Sequence, residues 1–226
     1  MKKDVFSVQE VYVLMDILGG TELFGFPELH LLGLTALESS EVGVERLQKK
    51  QIVTEKNQLT SVGMTLLKIL ERYCESETYV MVENCFLVPD EKEAICLEKV
   101  QEGYRLSVLP GKALLEKLYK EHELIRREAT EEELTFKKQR LRRSELRQLG
   151  LEEAEFQVVP LSIGKVSPTE ESGLTKEEWL FFELEKQLYA VHPSEERVYK
   201  MSQYWLTQWL VKELKVSVEL PEGVTV

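Results

Sequence analysis

The stretch from Glu77 to Pro110 constrains this chain more than any other. Three runs of strand character follow one another there, Thr78–Val88, Glu93–Val100 and Tyr104–Leu109. Only Pro89-Asp90-Glu91-Lys92 and Gln101-Glu102-Gly103 separate them. The second and third runs alternate (Ala94-Ile95-Cys96-Leu97-Glu98-Lys99 and Tyr104-Arg105-Leu106-Ser107-Val108), the period of two that a half-buried sheet requires. Connections this short join antiparallel neighbours and cannot hold a parallel crossover. An antiparallel meander is therefore expected at the centre of the fold. The first run is apolar on both faces, so packing is expected on each side of it.

Helical patterns flank the meander. Ser7 and Glu10 form a capping box ahead of Val8, Val11, Leu14, Met15 and Leu18, and Gly19-Gly20 ends that helix. Thr21–Leu34 reads as loop. Helices are expected from Thr35 to about Lys50, then from Thr60-Ser61 with Met64, Leu67, Leu70 and Tyr73 inward, with Ile52-Val53 a short strand between them. Pro110-Gly111 opens a long helix to about Ala129. Thr130 with Glu133, and Thr175 with Glu178, read as further capping boxes. The second precedes an expected helix through Trp179, Phe182, Leu184 and Leu188. Phe156–Val166 reads as a strand, Ser167–Gly173 as loop, Glu195–Lys212 as a helix and Lys215–Leu220 as a closing strand.

The whole reads as one α+β domain over 1–226, with a central antiparallel sheet flanked by helices in two quasi-related halves. The halves are residues 1–129 and 151–226, joined by a connector at 130–150. That connector is basic: Lys137–Arg147 holds six basic residues and the single acid Glu145. The first half carries 16 basic against 22 acidic side chains and the second 7 against 14. The connector is expected to be a solvated helix, with contact to an acidic partner as its functional reading.

Charge and motifs narrow the function. The net charge of −11 disfavours phosphate contacts, so no nucleic-acid partner is expected. No apolar run reaches the roughly 18 residues of a membrane span, and the N-terminus has no signal-like apolar region, so cytoplasmic residence follows. Cys74, Cys85 and Cys96 read as small buried hydrophobes. His30, His122 and His192 fit no zinc spacing, and no phosphate-binding glycine loop or nucleophile elbow occurs. Neither a catalytic residue nor a cofactor is expected. Two stretches could bind a partner. Thr35–Leu70 has the order of a winged helix, which makes a DNA-binding regulator the alternative, although Glu38, Glu41 and Glu45 lie beside Arg46, Lys49 and Lys50. The aromatic cluster Tyr199, Tyr204, Trp205 and Trp209 reads either as core or as a patch for a partner helix.

Over residues 5–118 the order of features resembles a known family. Phe6-Ser7-x-x-Glu10 opens a helix ending in Leu18-Gly19-Gly20, and a helix ending at Leu47 precedes Ile52-Val53. A helix over Met64–Tyr73 and the strands Tyr79–Val88, Ala94–Val100 and Tyr104–Leu109 follow. This is similar to the EspG-type chaperones of type VII (ESX) secretion systems, in particular the EsaE-like proteins of low-GC Gram-positive bacteria. The resemblance implies a cytoplasmic, non-enzymatic chaperone with an EspG-like fold. Such a protein binds a secreted helical protein or toxin, keeps it soluble and delivers it to the secretion ATPase. It also implies client contacts at the sheet turns, here Asp90, Glu91 and Lys92 with Gln101 and Glu102, and at the C-terminal helix carrying Tyr204, Trp205 and Trp209.

Overall fold

The computed structural model describes residues 4–20, 23–26, 36–150, 161–168 and 174–216. In chain order these form β1 (Val5–Phe6), α1 (Val8–Ile17), α2 (Ala36–Lys49), α3 (Ser61–Cys74), β2 (Tyr79–Val82), β3 (Cys85–Pro89), β4 (Ala94–Val100) and β5 (Gly103–Leu109). There follow α4 (Gly111–Glu121), α5 (Glu123–Arg126), β6 (Lys138–Arg140), α6 (Arg143–Gln148), β7 (Leu161–Pro168), β8 (Leu174–Leu184), β9 (Gln187–His192), β10 (Arg197–Met201) and α7 (Gln203–Glu213). Ten strands and seven helices make this an α+β fold built on antiparallel sheet. The chain forms two compact units. The first is Met1–Glu77 with Asn84–Val88 and Ile95–Val108, and the second is Thr78–Glu83 with Pro89–Ala94 and Leu109–Val226.

In the first unit the strands lie in the order β1-β5-β4-β3, with Phe6 opposite Tyr104. The capping box on α1 forms as its sequence dictates: the Glu10 backbone N–H donates to Ser7 Oγ and the Ser7 N–H donates to the Glu10 carboxylate. Gly19 and Gly20 end that helix at φ +90° and +73°. α1 meets α2 at Gly43, where a Cβ would lie 2.4 Å from the Gln9 carbonyl oxygen, so only glycine admits this approach. Thr60 caps α3 by accepting from the Gly63 N–H. Leu67, Leu70 and Tyr73 point inward as expected, but Met64 is 48% exposed because the inward stripe runs through Leu67 and Leu70 instead.

In the second unit the order is β2-β7-β8-β9-β10-β6. Its local structure corrects several expectations. Thr78–Val88 is two strands rather than one, divided at Glu83-Asn84 with Glu83 at φ 50°. Thr175–Leu188 is strand and hairpin, not a helix opened by Thr175 and Glu178. Glu178 lies within β8 opposite Gly164, and Leu184 pairs with Gln187 across the two-residue loop Glu185-Lys186. Glu195–Lys212 divides at Ser202 into β10 and α7, with Ser202 Oγ accepting from the Trp205 N–H. The connector is not a continuous helix either. Thr130 Oγ1 bonds the Glu133 carboxylate ahead of a 3-10 turn at Glu132–Thr135, and then β6 pairs with β10 before α6 begins. The helix expected to run to Ala129 breaks at His122, whose backbone is extended.

The expected strand Phe156–Val166 is described from Leu161 on, as β7. Of the expected closing strand Lys215–Leu220 only Lys215 and Val216 are described, and they form no strand, with Lys215 in a turn at φ 51°. Ser167 and Pro168 of the expected loop Ser167–Gly173 belong to β7. The rest of that loop and most of the loop Thr21–Leu34 lie outside the described residues.

Candidate functional site

The most chemically distinctive surface lies in the second unit, where β6, β8, β9, β10 and the start of α7 meet. Residues directly opposite in antiparallel strands share a face. The register sets Phe181 opposite Ala190 and Ala190 opposite Tyr199, and Trp179 lies beside His192. On that face Trp179 is buried and meets His192 edge-on at 4.4 Å, Tyr199 at 5.5 Å and Trp205 of α7 at 5.4 Å. Trp205 also lies 5.8 Å from Phe181. Offset and edge-on ring pairs of this kind fix orientation as well as burying area. The Trp179 indole N–H is satisfied by Glu177 at 2.8 Å.

Lys138 of β6 brings charge into the cluster. Its ammonium stands 4.3 Å from the centroids of both Trp179 and Tyr199, a double cation–π contact. Lys137 stands over Tyr204 at 5.1 Å. Tyr204 is 53% exposed, Trp205 is half-buried and Trp209 is buried. The three C-terminal aromatics therefore form a gradient from surface to core along α7.

A buried polar network fixes where α7 starts. Arg127 pairs with Glu133 through both terminal guanidinium nitrogens, and its Nε lies 2.8 Å from Glu183. The Glu133 side chain is fully buried and accepts the backbone N–H of Gln203, the first residue of α7, at 2.8 Å. Gln203 in turn donates to the carbonyls of Leu124 and Ile125. Burial opposes ionisation of Glu133, yet the bonds from Arg127 and the Gln203 amide outweigh it and hold its pKa below the ordinary carboxyl range. The same carboxylate holds the Arg127 pKa above its ordinary value against the effect of burial. Ser202 completes the anchor: its N–H and its hydroxyl both donate to the Lys137 carbonyl, tying β6 to the head of α7.

The sheet turns proposed as client contacts fall elsewhere. Asp90, Glu91 and Lys92 form an exposed turn in the second unit, closed by Asp90 N–H donating to the Glu93 carbonyl at 3.0 Å. Gln101 and Glu102 belong to the first unit. They line a hollow of about 500 Å³ with Ser7, Gln9, Arg46 and Lys99. A third feature, a hollow of about 360 Å³ in the second unit, is lined by Glu83, Glu121, His122, Glu123 and Glu183. His122 Nδ1 stands 3.5 Å from Glu83 there. Among the described residues no group of three or more His, Cys, Asp or Glu side chains is arranged to hold a metal ion. Burial pushes the Cys74 thiol up to about 11, and Cys85 and Cys96 are buried.

The winged-helix alternative needs the cations at the end of α2. Lys50 is turned inward: its ammonium lies 2.6 Å from Glu10 with both side chains at most 3% exposed, and it donates to the Val5 carbonyl. Lys49 pairs with Glu45 at 2.6 Å. Lys50 is therefore not free to meet a phosphate, while the Lys49–Glu45 pair lies at the surface.

Lys138 and Trp179 are the members of this cluster that the sequence alone does not reveal. Trp179 sits in a run whose periodicity suits a helix, and Lys138 acquires its role only through pairing with a strand far along the chain. Among the described residues no helix is long and apolar enough to cross a membrane. A comparison with curated proteins gives no match. Residues 1–222 match the family described as a domain of unknown function (DUF5081), and the chain belongs to that family.

Proposed function

We propose that this protein is a client-binding adaptor of the secretion-chaperone kind. It holds a secreted helical protein or toxin of a type VII system in the cytoplasm and presents it to the secretion machinery. One observation carries the reading: the aromatic and cationic surface of β6 and α7, where exposed Tyr204 and half-buried Trp205 lie beside Lys137 and Lys138. Aromatic side chains with cationic neighbours, half in and half out of the core, are what protein interfaces use as anchors. The rigid Arg127–Glu133–Gln203 network holds that surface in place, so little ordering cost remains for binding. An acidic exterior elsewhere discourages non-specific association. The similarity to EspG-type chaperones supplies the client class.

The test is affinity capture of the tagged full chain from its native cytoplasm, followed by mass spectrometry. A secreted helical protein or toxin at near-stoichiometric yield is the expected result. Its yield should fall in the Tyr204→Ala, Lys137→Glu double variant, which leaves the buried Trp209 untouched. Recovery of DNA, or of no secretion-related protein, would contradict the reading.

A further inference from the structure

We infer that the open edge of β6 is a strand-addition site for an extended acidic segment of a partner protein. The inference rests on the adaptor reading above and specifies how one part of the partner is held.

β6 ends the strand order of its unit, with β10 on one side and no strand on the other among the described residues. Its register fixes which groups face outward. Leu141 N–H donates to the Val198 carbonyl, and Ser202 N–H donates to the Lys137 carbonyl. Antiparallel ladder bonds alternate, so Lys137, Gln139 and Leu141 spend their backbone groups on the β10 side. The N–H and C=O of Lys138 and Arg140 therefore point to the open edge. Both residues are exposed. A row of donors and acceptors with no ladder partner among the described residues is a template for an incoming strand.

Charge selects the occupant. Ion pairing to a carboxylate is common elsewhere in the protein, as in Lys50–Glu10, Arg105–Glu98, Lys165–Glu213 and Lys200–Glu132. The side chains of Lys137, Lys138 and Arg140 meet no carboxylate among the described residues; Lys137 and Lys138 lie over aromatic rings instead. Arg142, Arg143 and Arg147 extend the positive run into α6. In a chain of net charge −11 this basic edge attracts an acidic segment and does not repel it. A second copy of the chain would set Lys138 and Arg140 against the same cations, which opposes edge-to-edge self-pairing. Lys138 and Arg140 share one face of the sheet, with Gln139 on the other. The preferred segment thus carries acids at every second position.

The probe is a short dye-labelled peptide with glutamate at alternate positions and threonine or valine between, titrated into the full chain by fluorescence anisotropy. Binding is expected, with slowed amide exchange at Lys138 and Arg140. Backbone N-methylation of one alternate set of peptide residues should weaken binding about tenfold or more, since ladder bonds are lost, while methylation of the other set should not. The set that matters reports strand direction. The Arg140→Glu variant, checked for unchanged circular dichroism, should weaken binding of the unmethylated peptide and favour a lysine-substituted one. Equal binding of both methylated peptides would overturn the inference, because charge alone would then be responsible. Absence of binding, or displacement of the peptide by a single-stranded oligonucleotide or by self-association of the chain, would overturn it as well. Failure here with the client still recovered from native cytoplasm removes the edge site alone. Peptide binding with no client recovered removes the adaptor reading alone.

Discussion

Lys50 and Glu10 hold each other inside the first unit, 2.6 Å apart and almost wholly excluded from water. Two charges in that setting are costly to separate, because the one left behind has no solvent. Lys50→Met should destabilise the unit by roughly 3–5 kcal/mol in chemical denaturation, and adding Glu10→Gln should recover part of the loss. Gly43 is the second critical residue: an added methyl would meet the Gln9 carbonyl at 2.4 Å, so Gly43→Ala should cost about 1–3 kcal/mol. Glu133 makes the second unit sensitive to acid. Its folded pKa lies below the ordinary value of 4.5, so the unfolded chain takes up this proton first as pH falls. The contribution is complete above the ordinary carboxyl range and disappears as pH drops through the depressed folded value. Glu213, where burial is outweighed by Lys165 and Lys212, acts in the same direction. Thermal melts below about pH 4.5 should show the loss. Glu133→Gln should flatten that slope and lower stability at neutral pH.

Among the elements, the β8–β9 hairpin explains why the second unit was hard to read. Its two loop residues, Glu185 and Lys186, sit at φ 51° and 66°. A two-residue loop with both residues left-handed favours Asn-Gly, and neither residue is present to signal the turn. β8 also carries Trp179 and Phe181 on one face and Phe182 on the other, all three buried, which blurs the period of two. Replacing the pair with Asn-Gly should raise stability by about 0.5–1 kcal/mol per residue, read as a higher melting temperature. β6 offers a sharper contrast. Gln139→Pro removes a ladder bond to β10 and should destabilise the unit. Arg140→Pro removes only an outward N–H and should cost less than about 1 kcal/mol.

At the scale of the whole molecule, the α+β class and the antiparallel meander were legible because their signals are local. The Ser7–Glu10 box, Gly19-Gly20 and the alternation in β4 and β5 each specify structure within a few residues. The candidate site was legible only in part. Tyr204, Trp205 and Trp209 were visible as an aromatic cluster, but their grading from exposed to buried depends on how α7 lies on β8, a contact between distant segments. Lys137–Arg147 was visible as a charged run. That part of it is an edge strand beside β10 follows from non-local pairing, which periodicity cannot report.

The proposed client surface is β6 together with the head of α7. Hydrogen–deuterium exchange of the full chain, with and without the client captured from native cytoplasm, tests it most directly. Slowed exchange on binding is expected over residues 137–142 and 203–209, with Ser61–Cys74 unchanged. Protection confined to the first unit, with residues 137–142 exchanging as in the free protein, would contradict it.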